Sequence, residues 1–221
     1  MTQLLRNSWF TGLLRQWLIP VSVSLSATIY VSDAFAEGLT DPERQQAAAV
    51  ADAVQWRPGL RNRSSTDHPL GLQNLSIESR ERKKPAYDTL ASVYQYHYDY
   101  QAARLLVVDL NQNLVVSEQP VNSVHLPLNQ TEINLALTLL SQRIDILDRL
   151  RSEQRARGRS AFKSLQELQT KASIFEPVVK THPCAEQRCA LLSLFDHTNT
   201  VFAAEPIVNL QSLKVELLET R

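Results

Sequence analysis

The chain has 221 residues, with 23 Lys and Arg balanced by 23 Asp and Glu, five histidines, two cysteines and five glycines. That balance argues against a nucleic-acid binder, which normally carries a strong basic excess. Without a Gly-rich phosphate loop or a Gly-x-Ser-x-Gly turn, nucleotide binding and serine hydrolysis also lack their usual sequence elements.

Residues 1–36 read as an export signal. Arg6 and Arg15 are followed by the apolar run Trp17–Val31, and Ala34-Phe35-Ala36 sets small side chains two apart before Glu37. Pro20, Ser22, Ser24, Ser26 and Thr28 dilute that run below the ~20 apolar residues of a membrane span. Cleavage before Glu37 is therefore expected, giving a periplasmic or secreted protein with no stable membrane span. No cysteine follows the cleavage site to carry a lipid. Without Arg6, Arg15 and Asp33, 21 basic and 22 acidic residues remain.

The rest divides into two helix-on-sheet units, 37–122 and 123–221, an α+β arrangement with antiparallel sheets. The first opens at Leu39-Thr40-Asp41-Pro42-Glu43, where Thr40 or Asp41 can cap a helix and Pro42 suits its first turn. Ala47–Val54 should carry that helix to about Trp56, and Arg57-Pro58-Gly59 stops it. A polar loop follows from Arg61 to His68. Leu72, Leu75 and Ile77 then lead into Glu78–Lys84, a charged edge strand. Leu90–Tyr100 alternates, with Tyr94, Tyr96, Tyr98 and Tyr100 on one face and Val93, Gln95, His97 and Asp99 on the other. Arg104–Leu110 and Leu114–Val116 flank Asn111-Gln112-Asn113, the pattern of a hairpin.

The second unit opens alike, at Leu128-Asn129-Gln130-Thr131-Glu132. Ile133, Leu137, Leu140, Ile144 and Leu147 form one apolar stripe, predicting a single helix to about Arg155 that Gly158 interrupts. Phe162, Leu165 and Leu168 suggest a further short helix. Strands are predicted at Ile174–Lys180, Cys189–Phe195, Val201–Ala204 and Ile207–Leu217. Val108-Asp109-Leu110 with Val115, and Val208-Asn209-Leu210 with Val215, repeat one phrase about 100 residues apart. That order points to a duplicated unit.

The run Tyr96-His97-Tyr98-Asp99-Tyr100, then Leu106-Val107-Val108-Asp109-Leu110, Leu126-Pro127-Leu128 and Glu132, resembles the small N-terminal domains of copper amine oxidases. Arg188-Cys189-Ala190-Leu191-Leu192 with Val208-Asn209-Leu210 is similar to the second of those domains. The resemblance implies two tandem cystatin-like units, each a helix packed across a curved antiparallel sheet. It carries over no catalysis. The family's quinone arises from a tyrosine in Asn-Tyr-Asp/Glu, and its copper is held by three histidines, two in His-x-His. This sequence has neither an Asn-Tyr pair nor His-x-His. The Gln-x-Val-x-Gly loop of cystatin inhibitors is missing too, with Gln119-Pro120-Val121 a weak substitute.

Cys184 and Cys189 flank a short link between predicted strands, and an oxidising compartment would join them. The alternative is a soft-metal site that adds His182. His68, His97, His125, His182 and His197 show no local ligand spacing. Arg149, Arg151, Arg155, Arg157 and Arg159 form either a solvated helix end or an anionic-surface site. The tyrosine face Tyr94, Tyr96, Tyr98 and Tyr100 is either sheet core or a recognition surface. These residues lead to a non-enzymatic exported protein that binds a protein or small-molecule partner. No nucleic acid, cofactor or metal is expected. An accessory role in copper or amine metabolism is the alternative.

Overall fold

Reciprocal capping starts the first helix. The Thr40 side chain accepts the Glu43 amide, and Glu43 accepts the Thr40 amide at 2.7 Å. The resulting α1 (Asp41–Asp52) belongs to a computed structural model that describes residues 38–56, 67–80, 89–121 and 126–218. The export signal, the Arg57-Pro58-Gly59 stop, most of the polar loop, the later part of the charged strand and His125 lie outside the described residues.

Strands β1 (Leu72–Ser79), β2 (Leu90–His97), β3 (Ala102–Asp109) and β4 (Leu114–Val121) form an antiparallel sheet in chain order. Helix α1 crosses one face, its small Ala47 and Ala51 packed on Ala91, Val93, Leu106 and Val108. A second four-stranded sheet joins β5 (Gln169–Ile174), β6 (Cys189–Phe195), β7 (Glu205–Asn209) and β8 (Lys214–Leu218), also antiparallel and in chain order. Between the sheets in sequence lie α2 (Gln130–Ser141) and α3 (Ile144–Ala156), with α2 against β7 and β8.

Several predicted elements differ. The single long helix breaks because Arg143 takes ψ 82°, and its guanidinium reaches the Val215 carbonyl and Asp145. Ile144, expected on the buried stripe, is 69% exposed, and Ile146 and Leu150 join the expected Leu147 in the packing. The helix expected from Phe162 to Leu168 shrinks to one 3-10 turn at Leu165–Glu167. The first strand of the second half ends at Ile174 where it was expected to begin, ahead of Pro177. Val201–Ala204 makes a single bridge, Val201 to Phe195. The run Ile207–Leu217 folds back on itself as β7 and β8.

The repeated phrase does give a repeated turn. Asp109 Oδ1 accepts the Asn111 and Gln112 amides, and Asn209 Oδ1 accepts those of Gln211 and Ser212. Leu110 N–H donates to Thr89 and Leu210 N–H to Arg188. The turns close through Asn113 and Leu213 at φ 54° and 59°.

The two sheets fall on either side of the expected 122/123 boundary, but the apolar interior does not. The largest buried cluster unites Leu70, Leu75, Tyr96, Tyr98 and Ala103 with Leu140, Leu150, Leu192, Val208 and Leu210. Residues Glu37–Arg221 accordingly form one compact unit. Among the described residues no helix is long and apolar enough to cross a membrane.

Candidate functional site

Pairing of Gln95 with Arg104 and Tyr96 with Ala103 fixes the two faces of β2. Val93 and Gln95 lie under α1, which turns Tyr96 toward the second half of the chain. Tyr96 and Tyr98 are both 0% exposed. Tyr96 and Tyr98, offered with Tyr94 and Tyr100 as either sheet core or a recognition surface, therefore belong to the core. They are interior because the second half covers this end of the sheet.

A buried polar cluster fixes that cover. Tyr98 Oη donates to Glu132 Oε1 at 2.5 Å, and Arg188 donates from Nε to Glu132 Oε1 at 2.8 Å and from Nη2 to Oε2 at 2.9 Å. Glu132 Oε2 also accepts the Asn129 amide at 2.9 Å, as the second arm of the α2 cap. Arg188 Nη1 and Nη2 reach the Leu126 and Pro127 carbonyls at 3.0 and 3.1 Å, and its carbon centre lies 5.3 Å from the Tyr96 ring centroid. Glu132 and Arg188 are 0% exposed. Burial and the adjacent Glu132 carboxylate push the Tyr98 phenol far above its ordinary pKa. Burial works against the Arg188 charge, but its bonds to Glu132 prevail and hold it above the ordinary arginine value. The cluster is a closed structural joint, unsuited to proton transfer with a substrate.

His68 completes it. The ring stacks on Tyr98 with centroids 4.5 Å apart, Nε2 meets the Leu210 carbonyl at 2.8 Å, and Nδ1 accepts the Leu70 amide at 3.1 Å. Burial lowers its pKa, outweighing the Leu210 carbonyl and Asp99.

Tyr94 and Tyr100 are partly exposed. Because β2 ends at His97, residues 98–101 turn, with Gln101 at φ 48°, and Tyr100 escapes the strand alternation. Its ring lies parallel to Trp56 within 5°, centroids 6.2 Å apart, while His97 stands edge-on to Trp56 at 5.4 Å and to Tyr100 at 4.5 Å. The Arg104 guanidinium lies 4.4 Å from the Trp56 centroid, a cation–π contact.

A polar ladder anchors that arginine across all four strands. Asn74 and Gln95 donate to Asp52, Gln95 also donates to Asn74, and Arg104 donates to Gln95 at 2.8 Å and Glu118 at 3.0 Å. Arg104 also donates to the Val54 carbonyl at 3.0 Å, satisfying an acceptor just past the end of α1. The half-exposed Trp56–His97–Tyr100 cluster is thus held on a rigid base. Sequence reading missed Trp56 and Arg104. Trp56 looked like the end of a helix, and Arg104 like the first residue of a strand.

Cys184 and Cys189 form a disulfide with sulfurs 2.02 Å apart. His182, Cys184 and Glu216 offer ligand-type atoms within 4.8 Å of one another, but the disulfide withdraws both thiolates that the soft-metal alternative needs. His182 instead accepts the Cys184 amide through Nδ1 at 3.1 Å and places Nε2 3.1 Å from Glu216. The arginine cluster is largely engaged. Arg151 binds Asp148 and the Phe162 and Lys163 carbonyls, Arg157 binds Glu153 and the Val201 carbonyl, and Arg159 binds Asp196. Asp196 is held well below the ordinary carboxylate pKa, first by the Thr198 hydroxyl and further by Thr198 and Thr200 amides and Arg159.

No family model and no curated protein matches the chain. Among solved structures it is similar to a copper-containing benzylamine oxidase from Hansenula polymorpha, with TM-score 0.50 and 11% identity over 82% of this chain. The likeness is one of fold. The match takes in 29% of that enzyme, so the chain spans under a third of its length. The resemblance to copper amine oxidases therefore stands as a distant structural one.

Proposed function

We propose that this chain is an exported, non-catalytic binding protein. It consists of two tandem cystatin-like units, 37–122 and 123–221, and captures a protein or small-molecule partner through Tyr94, Tyr100 and the neighbouring Trp56. The observation that carries this reading is the braced, half-exposed stack of Tyr100 on Trp56. Aromatic groups on a rigid base lose little entropy on binding, which makes them effective anchors. Tyr96 and Tyr98 serve the interior and contribute to the surface only by fixing the sheet. The recurring caps and turns support the two-unit description.

The test is co-purification of the tagged protein from exported fractions, with partners identified by mass spectrometry. Tyr94→Ala should change stability by no more than about 0.5 kcal/mol, as for surface sites generally. Tyr94→Ala and Tyr100→Ala should each weaken capture of the partner retained by the wild type. Undiminished capture by both variants overturns the surface assignment. Intact mass of the exported protein should correspond to a start at Glu37, and retention of residues 1–36 refutes the signal reading.

The likeness to a copper-containing oxidase favours a second reading, an accessory protein in copper or amine metabolism. Stoichiometric copper retained through dialysis would select it over the first.

A further inference from the structure

His68 stands where the two halves meet, and four contacts define its state. Its amide donates to Asp99 Oδ1 at 2.6 Å, its ring stacks on Tyr98, Nδ1 accepts the Leu70 amide, and Nε2 faces the Leu210 carbonyl. A neutral ring with its proton on Nε2 satisfies both nitrogens. A second proton would have to sit on Nδ1, where it would oppose the Leu70 N–H, donor against donor.

We propose that His68 is an acid-sensitive latch: neutral, it pins residues 67–70 and the β2–β3 turn to the β7–β8 turn, and protonated, it lets Leu70 go. Leu70 is part of the buried cluster shared by the two halves, so its release opens that core at one edge.

The ionisable groups around the ring favour this behaviour. Asp99 attracts a proton, but its Oδ1 is occupied by the His68 amide and its Oδ2 lies 4.0 Å from His97 Nδ1. The Tyr98 hydroxyl is committed to Glu132, whose charge Arg188 balances. From the second half the ring meets the backbone of Leu210 and Gln211, which carries no charge. Burial then disfavours the imidazolium, in agreement with the lowered pKa. The Gln211 side chain donates to the Tyr98 carbonyl at 3.2 Å and does not titrate, so acid loosens this joint locally without parting the halves.

The sign follows from linkage. His68 has a depressed folded pKa, so its stabilisation is complete above the unfolded value of about 6.5 and is lost as pH falls below it toward the folded value. Nuclear magnetic resonance titration of the full protein should place His68 below that unfolded value. Hydrogen exchange at the Leu70 amide, corrected for its intrinsic pH dependence, should accelerate by up to about tenfold per pH unit across the same window. His68→Gln should abolish the acceleration, while His182→Gln should keep it. A His68 that titrates at or above 6.5, or equal pH dependence in His68→Gln, overturns the latch. Should His68→Gln fail to fold, the wild-type titration and Leu70 exchange decide the matter alone.

Discussion

Two helices in this molecule begin with the same device and put it to different use. Thr40 with Glu43 opens α1, and Asn129 with Glu132 opens α2, each pair exchanging side-chain and backbone bonds. Glu43 makes its cap near the surface. Glu132 is fully buried and carries three duties: it caps, it receives Tyr98 from the first half, and it neutralises Arg188. A local sequence signal thus fixes where a helix starts, while the burial around it decides whether the residue is worth tenths of a kilocalorie or several.

The comparison can be broken most directly at Arg188. Arg188→Met strands the Glu132 carboxylate in the interior and should cost about 3–5 kcal/mol in urea unfolding. Glu43→Gln should cost under about 1 kcal/mol. Similar losses from the two would show that burial does not distinguish the sites. Tyr98→Phe removes a hydrogen bond to a charged group at unchanged shape, and about 1.5–3 kcal/mol is expected from the same measurement. Both cysteines lie in the second half, and their bond closes the loop that presents Arg188. Removing it by Cys184→Ala with Cys189→Ala should cost about 2 kcal/mol in the chain-entropy model. Thiol titration of the denatured, unreduced wild type should find no free sulfhydryl.

The smallest effect has the opposite sign. Asn113 and Leu213 occupy the same left-handed position in matching turns, and asparagine tolerates it better than a bulky side chain. Leu213→Asn, at a site 37% exposed, should therefore raise the urea midpoint, equivalent to a gain of about 0.5–1 kcal/mol in unfolding free energy. A lower midpoint would show that the leucine side chain contributes more than its backbone costs.

Local signals were the legible part of this chain. Thr40, Pro42 and Glu132 marked helix starts and Asn111-Gln112-Asn113 a hairpin link, because each acts within a few residues of itself, whereas the turn at Asn209 was hidden inside the single strand expected over Ile207–Leu217. Elements whose form depends on distant partners were not legible. Ile144 completed a convincing apolar stripe, yet Arg143 leaves the helix to reach Val215, 72 residues away. The alternation of β2 was visible, but no local feature says that residues near 132 and 188 would bury Tyr96 and Tyr98. Tyr100 was misplaced because the strand stops three residues earlier, and its partner Trp56 belongs to a different element.

A shared interior also sets a timetable for synthesis. The apolar side of β2 is complete once Tyr98 has been made, but Arg188 and Leu210, which help close over it, come about 90 and 110 residues later. At about 5–20 residues per second, the nascent chain carries that surface incompletely covered for roughly 5–20 s. Over that interval Tyr96 and Tyr98 are open to chaperones and to neighbouring nascent chains. A product truncated before Arg188 lacks both the arginine that balances Glu132 and the Leu210 carbonyl that meets His68, so it would keep part of that surface exposed.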